Sequence, residues 1–166
     1  MSPAGDSATV TVRVNATPRR AFELFTGELD LWWRRGPRFR SSAHPSSTLV
    51  LEPGLGGRLI ETYAAGSGPR TVEFGRVTAW EPPERLALEW RNTNFTPDQV
   101  THVEVTFRAA GAGALVTVRH SGWSVLPDDH PARHGQVGAD FARGLGLWWG
   151  DLLTALRERA DASSAP

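Results

Sequence analysis

The sequence predicts an α+β fold in which a curved antiparallel sheet wraps around one long C-terminal helix. Three observations predict it. Short alternating stretches are separated by turn residues, a single long amphipathic stretch lies near the C-terminus, and the chain has the length of one ordinary domain. Its 166 residues are enough to bury roughly 70% of the surface that the unfolded chain exposes. One domain is expected over residues 8–160, with small polar ends at 1–7 and 161–166 that fray.

The elements follow in order. From Thr9 to Asn15 the chain alternates, with Val10, Val12 and Val14 on one face and Thr11 and Arg13 on the other. That is a half-buried strand. Thr17-Pro18 then reads as a helix cap with proline in the first helical position. Ala21, Phe22 and Phe25 form the apolar face of this short helix, and Gly27 ends it. Glu28 to Trp33 adds a second short helix, and residues 36–46 are loop. Strands are expected near 48–53, 57–63, 71–81, 85–91, 100–109 and 113–122. The separators, Pro53-Gly54, Gly66-Ser67-Gly68-Pro69, Pro82-Pro83 and Gly111-Ala112-Gly113, are turn chemistry. Intervals this short favour hairpins over parallel strands with helical crossovers.

After Pro127-Asp128-Asp129 the period becomes helical. Val137, Phe141, Leu145, Trp148, Leu152 and Leu156 recur at spacings of three and four, widened by Trp149 and Leu153. Asp140, Arg143, Asp151, Arg157 and Glu158 fall opposite. The spacing predicts a helix over about 131–160. The order is one strand, two short helices, six strands and one long helix.

Composition limits function. Net charge is +0 and the isoelectric point is about 7.0, which argues against nucleic acid or an anionic membrane as partner. No apolar run is long enough to span a bilayer, and Met1 to Ser7 lacks the pattern of a secretory leader. The absence of cysteine excludes disulfides, thiolate metal sites and cysteine nucleophiles, and fits a cytoplasmic location. Every basic residue is arginine, as a GC-rich coding bias produces. No cofactor is expected. His130 and His134 are four apart, but Pro131 sets His130 at a cap and no third ligand has suitable spacing, so no metal is expected.

Several residues are candidates for a binding site. Seven tryptophans stand out in 166 residues, each able to bury a large apolar area, and Trp32-Trp33 and Trp148-Trp149 come in pairs. Each pair serves either core packing or ligand contact. Val116, Val118 and His120 share a strand face, which turns His120 toward the concave side, as a satisfied core histidine, a ligand donor or a general base. Glu61 shares a face with Leu59 and Tyr63; if inward, it needs a partner, with His120 or an arginine the natural candidates. Arg34, Arg35, Arg38 and Arg40 crowd one loop, either as a solvated segment or as a mouth for an acidic group. The last helix carries Gly138, Gly144, Gly146 and Gly150, which give either close helix–sheet packing or a kink, or else space beside the apolar stripe, where Gly138 is central and Gly144 and Gly146 flank it.

The chain resembles the SRPBCC or START-like superfamily, and more narrowly the branch related to the activator of the heat-shock-protein-90 ATPase. The carrying residues are Thr17-Pro18, Trp32-Trp33, Gly56-Gly57-Arg58 and the run Gly75 to Leu86 with Trp90. His120-Ser121-Gly122-Trp123 and Trp148-Trp149 complete the set. The resemblance covers residues 8–160 and implies the helix-grip fold, with a cavity between the last helix and the sheet. That superfamily has no shared catalytic motif, so fold alone does not assign a reaction. The expected function is binding of a small apolar or aromatic ligand, with or without an acidic end. Its site is expected from Trp32, Trp33, Arg38, Glu61, Trp90, His120, Phe141, Leu145 and Trp148. Two alternatives stand beside it: a cyclase, dehydratase or hydrolase using His120 with Glu61, and a co-chaperone-like interaction module. Leu147, apolar on the polar helix side, is the hint of a protein contact or a homodimer.

Overall fold

The structure is a computed structural model that describes residues 3–164. Strand β1 spans Ala8–Val14, with Thr9, Thr11 and Arg13 exposed and Val14 buried. Helix α1 (Pro18–Gly27) starts where the Thr17 hydroxyl accepts the Arg20 N–H at 3.1 Å. It buries Ala21, Phe22, Leu24 and Phe25. Helix α2 (Leu29–Trp32) follows directly. Six strands come next: β2 (Thr48–Leu51), β3 (Arg58–Ala65), β4 (Gly68–Glu81), β5 (Arg85–Trp90), β6 (Thr101–Ala110) and β7 (Gly113–Ser121).

All seven strands form one antiparallel sheet in the order β1-β7-β6-β5-β4-β3-β2. Each consecutive pair from β2 to β7 is a hairpin, and β1 closes onto β7. The sheet curls. Two extra residues on β4, Phe74 against β3 and Thr78 against β5, are bulges that bend the long central strand. The first has a consequence for the interior. Phe74 and Gly75 are both buried, so an aromatic ring enters the concave side where strict alternation would have turned it out.

Helix α3 (Gly138–Ser164) lies across that concave side, packed along β1 and against α1 and α2. It starts later and ends later than the period predicted. Residues 131–133 form a separate 3₁₀ turn, capped by His130 Nδ1 accepting the Ala132 N–H at 3.0 Å. His134 (φ 51°), Gly135 (φ 78°) and Gly138 (φ 57°) are all left-handed, so a continuous helix from 131 cannot form. Val137 consequently lies outside the helix, is exposed, and contributes nothing to the apolar stripe. Gly138 opens the helix instead of leaving room along it.

The stripe itself divides in two. Trp149, Leu152, Leu153, Leu156 and Ala160 are fully packed in the main core. Toward the N-terminal end, Leu145 and Trp148 are only half-buried. Phe141 belongs to a smaller cluster with Trp123, Leu126 and Ala132.

Residues near both ends of the described chain make contacts with the domain. Asp6 is buried, accepting from the Ser124 hydroxyl at 2.6 Å and the Ser124 N–H at 3.0 Å. Gly5 abuts the start of α3, where a Cβ would stand 2.7 Å from the Gly138 carbonyl oxygen. At the other end, 161–164 continue the helix. No helix among the described residues is long and apolar enough to cross a membrane.

Candidate functional site

A cavity of about 440 Å³ lies under the N-terminal half of α3. The sheet supplies its floor through Glu61, Phe74, Trp90 and His120. The helix supplies Phe141, Gly144, Leu145 and Trp148. Residues 37–41 close one side, and the segment carrying Trp123, Ala132 and Arg133 closes the other. Exposed residues in the same wall, such as Asn94 and Gln136, mark where it reaches solvent.

His120 is held by sheet register. Val103 pairs with His120 across β6 and β7, which sets Thr101, two residues along on the same face, as its diagonal neighbour. The Thr101 hydroxyl is 2.8 Å from His120 Nε2, and Trp149 Nε1–H donates to His120 Nδ1 at 3.1 Å. Since an indole N–H only donates, Nδ1 is the acceptor and Nε2 carries the proton. Thr101 passes that bond on to the Trp90 carbonyl at 3.1 Å. The result is a neutral imidazole with both nitrogens engaged, 1% exposed. Burial, with a smaller contribution from nearby His102, pushes its pKa down to about 3. Such a ring takes a proton only by losing the Trp149 bond, which makes it a poor general base.

Glu61 points inward and is 1% exposed. The β3–β4 bulge sits on β4, so the alternation of β3 is undisturbed. Its partners are neither His120 nor an arginine. The two carboxylate oxygens accept the Ser41 N–H at 2.9 Å and the Ser42 N–H at 2.8 Å. Glu61 therefore pins the loop that walls the cavity.

The arginine-rich loop is solvated only in part, and each of its four arginines is bonded to the protein. Arg40 is buried, its guanidinium 2.7 Å from Asp30 and donating to the Ser47 and Trp33 carbonyls at 3.1 and 2.8 Å. Arg34 and Arg35 donate to the Asp151 and Ser47 carbonyls. Arg38 is exposed and lines the mouth, paired with Asp151 at 2.6 Å. Trp148 Nε1–H donates to the Arg38 carbonyl at 2.7 Å, and its ring stacks on Phe39. Helix and loop are thus fastened at three points around one opening.

Trp32 and Trp33 are not part of the cavity wall. They are 3% and 4% exposed, with indole N–H groups donating to the Leu24 and Phe39 carbonyls. Trp33 stands behind the wall, stacked on Trp90 at 6.1 Å and edge-on to Trp148 and Trp149. The other expected site residues, Arg38, Glu61, Trp90, His120, Phe141, Leu145 and Trp148, all line the cavity.

Phe74, Trp123 and Arg133 are among the lining residues that the sequence had not assigned to the site. Trp123 is 3% exposed, and its indole N–H has no hydrogen-bond partner among the described residues. Arg133 is 4% exposed and lies over the Phe141 ring at 4.9 Å. The signal for Trp123 was its place just after the inward-facing His120. Arg133 gave none, because its burial depends on a 3₁₀ turn where a helix was expected. Among the described residues no group of histidine and carboxylate side chains could hold a metal ion.

A protein-family profile described as "Activator of Hsp90 ATPase homolog 1-like protein" matches residues 15–157. Solved structures similar to this chain include protein MLL2253 from Mesorhizobium loti, with a TM-score of 0.65 and 18% identity over 96% of this chain and 99% of that one. Another is the Aha1 dimer from Colwellia psychrerythraea, with TM-score 0.59 and 13% identity over 96% and 98%. A third is PFC0360w, an HSP90 activator from Plasmodium falciparum, with TM-score 0.57 and 16% identity over 90% and 91%. At these identities the likeness is one of fold. No curated protein matches the chain.

Proposed function

The chain belongs to the Activator of Hsp90 ATPase homolog 1-like family, and from that premise we propose that it binds a small apolar or aromatic molecule, with or without an acidic end, in the cavity beneath α3. The observation that carries this reading is a division of labour along one helix. The C-terminal half of the stripe is packed to exclusion, while Leu145 and Trp148 remain half-buried over a space of about 440 Å³. That volume falls within the roughly 300–1,000 Å³ of small-molecule sites, and such sites combine aromatic walls with a few polar groups. Trp90, Phe74 and Phe141 supply the walls here. The proposal locates the protein in the cytoplasm, with which a cysteine-free composition is compatible. Native mass spectrometry of freshly purified protein tests it. A co-purifying small mass, lost on denaturation, supports the reading, and tryptophan fluorescence unmoved by any member of a lipid and aromatic-acid panel counts against it.

A second reading is a protein-interaction module, supported by the family and by the exposed Leu31 and Leu147, each 62% exposed. An assay for stimulation of a heat-shock-protein-90 ATPase tests it, and sedimentation of the free chain tests a homodimer through Leu147. The enzymatic alternative loses its intended base, because both nitrogens of His120 are committed, one to Thr101 in the sheet and one to Trp149 on α3.

A further inference from the structure

Charge in the cavity wall is balanced everywhere but at one end. Three arginines and one glutamate line it. Arg38 is paired with Asp151 and Arg40 with Asp30. Glu61 is satisfied by two amide N–H groups, and His120 is neutral with both nitrogens bonded. Arg133 differs. Its guanidinium makes three hydrogen bonds, all to main-chain carbonyls. Nε donates to Pro127 at 3.0 Å, and Nη2 donates to Trp123 at 2.7 Å and Leu126 at 3.0 Å. Nη1 takes part in none of these, and the side chain forms no ion pair among the described residues. Carbonyl dipoles and the Phe141 ring lower the cost of burying the cation, yet they leave its charge uncompensated.

The neighbouring donor is also unsatisfied. The Trp123 indole N–H is buried without a partner among the described residues, although indole N–H groups find acceptors in most interiors. The two residues are joined by the Arg133-to-Trp123 main-chain bond and wall the same cavity. The Trp123 Nε1 itself is enclosed with no room for an acceptor beside it, whereas Arg133 Nη1 makes no hydrogen bond among the described residues and is not enclosed, so the place for an anionic acceptor is the Nη1 edge of Arg133. Aromatic surface continues from it: the Trp123 and Phe141 rings are 4.9 Å apart, and Trp90 and Leu145 lie further along the wall.

We propose that Arg133, through Nη1, forms the acid-binding end of the cavity, holding the carboxylate of an aromatic monoacid whose ring system lies against Phe141 and Trp90. This rests on the small-molecule reading above and moves the acidic end away from the mouth, where Arg38 already has Asp151.

The probes are 2-naphthoate and its neutral isostere 2-naphthamide, titrated calorimetrically into the full chain at pH 7.5. A charge-assisted bond predicts that the acid binds at least about tenfold more tightly than the amide. Arg133→Met should erase that preference while leaving amide binding in place. Because three carbonyls lose their donor in that variant, Arg133→Lys provides a second test, retaining a cation and with it a preference for the acid, with the fold unchanged by circular dichroism. Equal affinities for acid and amide overturn the acid subsite and leave the small-molecule reading standing. A preference that persists in folded Arg133→Met also overturns it. Binding of neither probe overturns the subsite together with the reading beneath it.

Discussion

Acidification from pH 8 to pH 5 should destabilise the fold by about 2 kcal/mol through His120 alone. At pH 8 the imidazole is neutral in the folded and the unfolded chain, so it contributes no pH dependence. Below its ordinary value of 6.5 the unfolded ring takes up a proton, whereas the folded ring stays neutral down to about 3. The unfolded state then binds more protons, and stability falls with pH by about 1.4 kcal/mol per unit across that window. One and a half units below 6.5 gives about 2 kcal/mol, and the figure requires only that the folded value lie well under 5. Carboxylates such as Asp6, held low by its Ser124 hydroxyl bond, lose stability mainly further down. His120→Gln removes the titrating group and serves as the reference. Urea unfolding at pH 8 and pH 5 should show the wild type losing about 2 kcal/mol more than the variant between the two. Parallel losses, or a His120 ring resonance titrating near 6.5, would refute the buried neutral imidazole.

Other outcomes follow from neighbouring geometry. Glu61→Gln turns an N–H₂ toward one of two buried amide donors, so thermal unfolding should drop by several degrees, equivalent to about 2–4 kcal/mol. Arg40→Met removes the buried guanidinium that bonds Asp30 and the Arg34, Ser47 and Trp33 carbonyls, and should cost about 3–5 kcal/mol in chemical denaturation. Gly146→Ala places a Cβ 3.9 Å from Val10, an ordinary contact, and should stabilise α3 by up to about 1 kcal/mol. Gly57→Ala should do the reverse, because its Cβ would stand 1.9 Å from the Glu52 carbonyl oxygen; soluble yield and melting temperature read the difference.

The strands were legible because each carries its own period and its own turn. Alternation turned His120 and Glu61 inward, and register then brought Thr101 beside His120. The polar partners were not legible. Glu61 bonds to amides of a loop some twenty residues away, and His120 to Trp149 across the sheet–helix junction. Neither pairing leaves a trace in local sequence. The start of α3 was misread because Ala132 and Val137 fit a helical period, while the left-handed residues between them do not announce their φ values. The same error hid Arg133. Trp32 and Trp33 share composition with Trp148 but not position: they fill the layer behind the wall, and only the packing of α2 reveals which layer is which.

The central claim, a ligand cavity between α3 and the sheet, is tested most directly by following the indole N–H resonances of ¹⁵N-labelled protein during titration with 2-naphthoate. The account predicts saturable shifts at Trp123, Trp90 and Trp148, which line the cavity, with Trp32, bonded to Leu24 in the core, left in place. Shifts confined to Trp32 or Trp80, or none at the three lining tryptophans, would contradict it.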